Sequence, residues 1–130
     1  MISKGIVGEG KVMVTEENTA ARMGSGTLRV FATPAMILLV ERTASESLLP
    51  FLQGGESTVG TSLDIKHTAA SAVGEEVFCR TEVTDVERSK IIFSVKVWDK
   101  AGEIGSGRHE RFLINNEKFM ARVSSRAESK

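Results

Sequence analysis

One long helix is the strongest local prediction of this sequence, and it restricts what the rest of the chain can form around it. Thr33 is expected to cap the N-terminus of the helix, and Pro34 suits the first helical position, where a missing N–H costs nothing. A proline and a pair of glycines end the pattern near Leu49. The first half, Ala35–Val40, is apolar on all sides, which predicts that other parts of the chain wrap around it.

Strand patterns lie on both sides of this helix. A short alternating segment, Lys11–Thr15, comes before it, and the polar segment Glu16–Gly26 is expected to be a mobile loop with at most one helical turn. Short turns between the strands that come after the helix favour an antiparallel meander, and the polar C-terminal end should fray. These later strands are predicted at Thr58–Ala70, Glu76–Glu87, Lys90–Trp98 and Glu103–Ile114, with a short helix at Asn116–Val123.

The order of elements predicts an α+β protein with the hotdog fold, in which a curled antiparallel sheet wraps around one long central helix. The length of 130 residues suits a single domain that spans residues 1–130. Such a sheet leaves edge strands that must be covered, and hotdog proteins commonly pair these edges in dimers. We therefore expect a homodimer.

Composition argues against several classes of partner. The formal net charge is zero, so nucleic acid is not expected to bind. The longest apolar run, Ala35–Val40, is far shorter than the ~20 residues that span a membrane. Cys79 is the only cysteine, so no intrachain disulfide can form, and two histidines with one cysteine give no zinc set. We expect a soluble, cytoplasmic protein without a metal or cofactor and without a membrane partner.

Three polar residues stand out as candidates for chemistry. In an alternating strand His67 shares the apolar face of Leu63 and Ile65, where its ring nitrogens need either a buried partner or a pocket. Glu41 follows six apolar residues on the helix, and Thr33 begins that helix. Each also has a plain structural explanation, as a satisfied core histidine, a solvent-facing glutamate and an N-cap.

The start of the helix offers a further chemical feature. Backbone N–H groups of its first turn, such as those of Ala35 and Met36, have no partner within the helix. They could stabilise an oxyanion that develops beside Thr33.

Three segments together resemble the fluoroacetyl-CoA thioesterase family of hotdog proteins. They are FATPAMILLVE, ESTVGTSLDIKHTAASAVGEEV and GEIGSGRHERFLINNEKF, and the resemblance covers residues 28–123 in order. The family uses a threonine, a glutamate and a histidine in catalysis, which implies these roles for Thr33, Glu41 and His67. The chain departs from the family at two places. It has Pro34 where the family has glycine, and it has the polar segment Glu16–Ser25 where the family has an aromatic-rich lid. The resemblance therefore implies hydrolysis of a small acyl-CoA thioester and leaves the acyl group open.

Thioester hydrolysis needs a nucleophile, a base and oxyanion stabilisation. His67 could deprotonate Thr33 or a water molecule, while Glu41 could orient His67 or attack the carbonyl itself to give a mixed anhydride. Eight residues of helix span about 12 Å, so Thr33 and Glu41 of one chain cannot touch, and we expect the site at a dimer interface. Candidate cations for the phosphates of CoA are Lys66, Arg108 and Arg111.

Other functions fit the same fold. A hotdog hydratase or dehydratase would also use a histidine with a carboxylate, and a non-catalytic acyl-CoA binding module would need no catalytic group. His109, in the charged run RHER, is expected at the surface or in support of other site residues.

Overall fold

The computed structural model describes residues 1–129. Their strands form one antiparallel sheet of five strands, and the long helix packs on one face of that sheet, as predicted. The strands are β1 (Val7–Met13), β2 (Glu56–His67), β3 (Glu76–Glu87), β4 (Lys90–Asp99) and β5 (Gly102–Asn115). The helices are α1 (Ala20–Met23), α2 (Thr33–Leu48) and α3 (Asn116–Glu128), with 3-10 turns at Glu16–Asn18 and Leu49–Phe51.

The strand order is β1-β3-β4-β5-β2, so the predicted meander is correct for three strands only. Strands β3, β4 and β5 follow one another through tight turns and pair in sequence. Strand β2 pairs with β5 at the far edge of the sheet instead of with β3. The connection from β2 to β3, residues 68–75, is long enough to cross the end of the sheet, which a hairpin turn is not.

Helix α2 differs from its prediction in two ways. Ala32 is the N-cap, so Thr33 is the first helical residue and Pro34 the second, and the hydroxyl of Thr33 does not cap the helix. The apolar first half is also not covered on all sides. Met36 and Val40 are fully buried, whereas the side of the helix turned away from the sheet leaves Leu38 58% exposed.

A β-bulge in β2 decides which of its side chains face the helix. Gly60 pairs with Arg111 and Ser62 pairs with Glu110, so Thr61 is an extra residue without a counterpart on β5. The extra residue reverses the alternation. Gly60 therefore shares the helix-facing side with His67, where simple alternation had placed Thr61.

The segment between β1 and α2 and the two ends of the chain contain more regular secondary structure than predicted. The segment after β1, expected to be a loop, contains a 3-10 turn and helix α1, which is capped by the hydroxyl of Thr19 accepting from the N–H of Arg22 at 3.2 Å. Helix α3 is capped by Asn115 and continues to Glu128, beyond the predicted end at Val123. Strand β1 begins at Val7, earlier than predicted. Between residues 1 and 129, no helix is long and apolar enough to cross a membrane.

Gly8 marks the closest approach of β1 to α2 and generates a stability prediction. A Cβ atom there would lie 2.8 Å from the backbone oxygen of Thr43 and 2.7 Å from Cβ of Ser47. Because a helix carbonyl cannot move aside, Gly8→Ala should lower the free energy of unfolding by about 1–3 kcal/mol. Gly54→Ala is the matched control, since nothing lies within 4 Å of its Cβ, and it should change stability by less than about 1 kcal/mol. Urea denaturation of both variants checks this, and equal stabilities would contradict the close packing.

Candidate active site

Thr33 and His67 form a direct pair beside an open pocket. Oγ1 of Thr33 lies 2.8 Å from Nδ1 of His67, at the point where the start of α2 meets the end of β2. The ring of Phe31 packs edge-on against His67, with the ring centroids 6.4 Å apart. The adjoining pocket measures about 310 Å³ and is lined by α1, by the segment before α2 and by residues 68–70. The structure thus brings together two of the three predicted catalytic residues.

The environment of His67 favours its neutral form. Burial lowers the pKa of His67 below its ordinary value of 6.5, and a backbone contact with Ala69 acts in the opposite direction. A neutral imidazole keeps one unprotonated nitrogen, which can accept the hydroxyl proton of Thr33. This is the geometry of a general base beside an alcohol.

The start of α2 offers fewer free amides than predicted. The N–H of Met36 donates to the carbonyl of Ala32 at 3.0 Å, so the prediction that it is free to bind an oxyanion is wrong. Pro34 has no N–H. Ala35 lies in the first turn, where amides have no partner within the helix, and its N–H stays the candidate.

Glu41 belongs to a second polar cluster, built around Arg111. Oε2 of Glu41 accepts from Nη1 of Arg111 at 3.4 Å, with the glutamate side chain 38% exposed and the arginine side chain 7% exposed. The same guanidinium donates from Nε to the hydroxyl of Thr58 at 2.9 Å and from Nη2 to its carbonyl at 3.0 Å. Strand β2 therefore binds two of the three guanidinium nitrogens of Arg111, and the third nitrogen, Nη1, contacts one oxygen of Glu41.

His109 completes the second cluster and lies deeper than predicted. It is fully buried, so a position at the surface is wrong. Nδ1 lies 2.9 Å from the carbonyl oxygen of Ser62 and Nε2 lies 3.2 Å from Nη1 of Arg111, while the ring stacks on Phe93. The sequence does carry a signal for this pair, because residues 109 and 111 alternate onto the same face of β5.

The predicted phosphate-binding cations occupy different positions. Arg111 is buried and engaged within its cluster, so it has no free donor face for a phosphate, and that part of the prediction is corrected. Lys66 and Arg108 are exposed, and they alternate with inward-facing residues, which places them on the side of the sheet opposite α2. Arg108 also donates to Glu110 at 2.8 Å. The roles of Lys66 and Arg108 stay predictions.

Comparison with known proteins identifies the class. The model of the family described as fluoroacetyl-CoA-specific thioesterase matches residues 14–117. A fluoroacetyl-CoA thioesterase from Streptantibioticus cattleyicolor is 40% identical over 94 residues, which cover 72% of this chain and 68% of that protein.

Solved structures agree with the sequence comparison. A fluoroacetyl-CoA thioesterase superposes with a TM-score of 0.90 at 31% identity, covering 100% of this chain and 99% of the other. A Thermus thermophilus hypothetical protein described as a thioesterase superfamily member superposes with a TM-score of 0.89 at 27% identity, covering 100% and 98%.

The fold and the match together define a hotdog thioesterase, a thioester hydrolase of the acyl-CoA thioesterase class. Within that class, the chain belongs to the fluoroacetyl-CoA-specific thioesterase family.

Gly60 leaves the space that the carboxylate of Glu41 occupies. A Cβ atom at this position would overlap Oε2 of Glu41 and lie 3.2 Å from Nη1 of Arg111. Gly60→Ala should therefore displace the carboxylate and lower kcat for acyl-CoA hydrolysis by at least about tenfold. Steady-state kinetics beside thermal melts check this, with Gly54→Ala as the control glycine. Full activity in a folded Gly60→Ala variant would show that the position of Glu41 is not critical.

Proposed function

We propose that this chain, as a single domain of residues 1–130, hydrolyses a small acyl-CoA thioester at a site completed by a second copy of itself. The observation that carries the proposal is the division of the polar residues into two clusters on one helix. The pair of Thr33 and His67 lies at the start of α2, and Glu41 with Arg111 lies eight residues further on. That spacing is about 12 Å along the helix, which is too far for direct cooperation within one chain.

The chemistry starts at His67. Its neutral ring accepts a proton either from Thr33, which then attacks the thioester carbonyl, or from a water molecule that Thr33 helps to position. The 2.8 Å contact between Oγ1 and Nδ1 supports both routes. The N–H of Ala35 is our candidate donor to the developing oxyanion. The protonated histidine then returns its proton to the departing CoA thiolate. On the water route this completes the hydrolysis, whereas on the threonine route the acyl group stays on Oγ1 as an ester. A water molecule deprotonated by the same histidine then cleaves this ester and restores Thr33.

Glu41 supplies the negative charge in this scheme. Its Oε2 is held by Arg111, and its side chain is 38% exposed, so solvent and a ligand can reach the carboxylate. Such a carboxylate can orient and stabilise the histidinium of the other cluster. Alternatively, it can attack the carbonyl and expel the CoA thiolate, and a water molecule then cleaves the resulting mixed anhydride. Both routes require that Glu41 meet a substrate bound near His67, which a second subunit makes possible.

Two exposed features support a homodimer. The outer side of α2 carries Leu38, 58% exposed, between Thr33 and Glu41 in the sequence. Strand β2 is twelve residues long and lies at the edge of the sheet, so one side of its backbone is unpaired with any other strand in residues 1–129. A second copy placed on these features would cover both and bring the two clusters of different chains together.

The pocket beside His67 suits a short acyl group. Its volume of about 310 Å³ is small, and a relative is named for a two-carbon acyl thioester, so we propose an acyl group of about that size. Lys66 and Arg108 are our candidates for binding the phosphates of CoA. The single cysteine, Cys79, is buried and unpaired, which fits our proposal of a cytoplasmic location.

Removing His67 should abolish the base without disturbing the fold. His67→Ala is expected to lower kcat/KM for acetyl-CoA by about 100-fold or more. In the unmodified enzyme kcat/KM should be level at neutral pH and fall only below pH 6.5, because burial lowers the pKa of His67 from that value and the base works in its neutral form. The residual activity of His67→Ala should lack this acidic decline. A folded variant with near-normal hydrolysis would refute the assignment.

A mixed dimer tests whether sites are shared between chains. His67→Ala and Glu41→Gln chains, each inactive alone, are co-expressed with different tags and purified through both. If His67 of one chain works with Glu41 of the other, the mixed dimer keeps one of its two sites intact and should show about half of wild-type kcat per dimer. If each site lies within one chain, every site is defective. Activity no higher than that of either parent would therefore contradict the proposal.

A further inference from the structure

His109 is a fully buried histidine that the catalytic scheme does not use. It lies on β5, two residues before Arg111, with Phe93 of β4 stacked on its ring at a centroid distance of 5.8 Å. Both of its ring nitrogens have a neighbour within hydrogen-bond distance. Nδ1 faces the carbonyl oxygen of Ser62 at 2.9 Å, and Nε2 faces Nη1 of Arg111 at 3.2 Å.

These two neighbours determine where the proton of the ring lies. A carbonyl oxygen can only accept, so Nδ1 must carry the hydrogen that Ser62 receives. A guanidinium can only donate, so Nε2 must offer a lone pair to Arg111. Only the neutral Nδ1–H tautomer satisfies both contacts. A second proton on Nε2 would set two N–H groups against each other in a site without water access.

The same nitrogen of Arg111 touches both His109 and Glu41. Nη1 donates to Nε2 of the histidine and to Oε2 of the glutamate, while Thr58 accepts one hydrogen bond from Nε and one from Nη2. The orientation of Nη1 toward Glu41 therefore depends on a correctly placed acceptor on its other side.

We propose that His109 is a positioning residue, whose Nε2 lone pair holds the guanidinium of Arg111 in the orientation that places the carboxylate of Glu41 for catalysis. This inference rests on the proposed function, because it takes Glu41 as the group that acts on substrate. His109 itself touches no substrate. Its bond to Ser62 also ties the ring to the bulge of β2, so the tautomer and the bulge stabilise each other.

The charges around His109 favour the same state. Burial lowers the pKa of His109, the hydrogen bond to Ser62 acts in the opposite direction, and the charge of Arg111 lowers the pKa further. Glu41 on α2 and Glu110 on β5 raise it by smaller amounts. The groups that touch the ring from β4 and β2 are Phe93 and the carbonyl of Ser62, and neither titrates.

The tautomer can be read directly in the unmodified protein. The chain has only two histidines, so long-range 1H–15N correlation spectra contain two imidazoles, and the spectrum of His67→Ala assigns them. We expect His109 to show a protonated Nδ1 and an unprotonated Nε2 at pH 7, and to remain so below pH 6.5. An Nε2–H tautomer or an imidazolium at pH 7 would overturn the proposal without any reference to activity.

Three variants separate positioning from packing. His109→Phe keeps a ring against Phe93 but gives Nη1 of Arg111 no acceptor, and it should lower kcat by about 10- to 100-fold with KM changed by less than about threefold. His109→Gln offers an amide oxygen to Arg111 and should keep kcat within about fivefold of wild type. Phe93→Leu removes the stacking and leaves both ring nitrogens in place, so it should lower Tm while kcat is retained.

The outcomes distinguish this inference from the proposed function. Wild-type kcat in folded His109→Phe, or an equal kcat loss in Phe93→Leu, would overturn the positioning role alone. In a Glu41→Gln background His109→Phe should cause no further loss, since it acts through that carboxylate. Full activity of Glu41→Gln by itself would overturn the proposed function and this inference with it. If His109→Phe does not fold, the spectra and the kcat of His109→Gln decide.

Discussion

The buried positive charge of Arg111 is the constraint on which the inner face of this molecule depends. A guanidinium that is 7% exposed must have its charge and its donors satisfied by the protein, because the cost of leaving it unpaired exceeds that of most packing defects. The partners come from three separate elements. Glu41 belongs to α2, Thr58 to β2 and His109 to β5. The pairing of this one charge therefore fixes how the helix and the edge strand sit relative to the centre of the sheet, in addition to what apolar contacts provide.

Much of the fold could be predicted from the sequence because its signals are local. The strand from Glu76 to Glu87 is predicted at its observed limits, and the helix after Ala32 differs from its prediction by one residue at each end. The features that were missed depend on distant partners. Thr33 resembles an N-cap in sequence, but His67, thirty-four residues away, engages its hydroxyl. The order of the strands is likewise set by pairing across the whole sheet, which no local pattern encodes.

The candidate site was predicted in part for the same reason. Thr33, Glu41 and His67 were found from helix position, strand face and family resemblance, and the structure pairs two of them directly. The burial of His109 and Arg111 was missed because the charged run RHER suggested exposure, although the two residues alternate onto one face of β5. The alternative expectation for His109, in support of other site residues, stays a prediction. Charge is a weak predictor of exposure here, because the buried guanidinium of Arg111 can donate to neutral acceptors as well as to a carboxylate. These neutral acceptors are the two oxygens of Thr58 and a ring nitrogen of His109. A stricter use of the two-residue period would have put both residues of the cluster inside.

Because of the bulge at Thr61, the side chains of strand β2 alternate in one phase before this residue and in the opposite phase after it. Residues before it and residues after it both present their functional side chains to the helix, although simple alternation cannot place both sets there. Loss of Thr61 would leave every paired residue of β2 opposite its present partner on β5, so His67 would keep its face and its pocket, and only the local bend of the bulge would be lost. A deletion at this one position should therefore be tolerated far better than a deletion at a paired position of β2, where the side chains beyond the missing residue would turn to the opposite face.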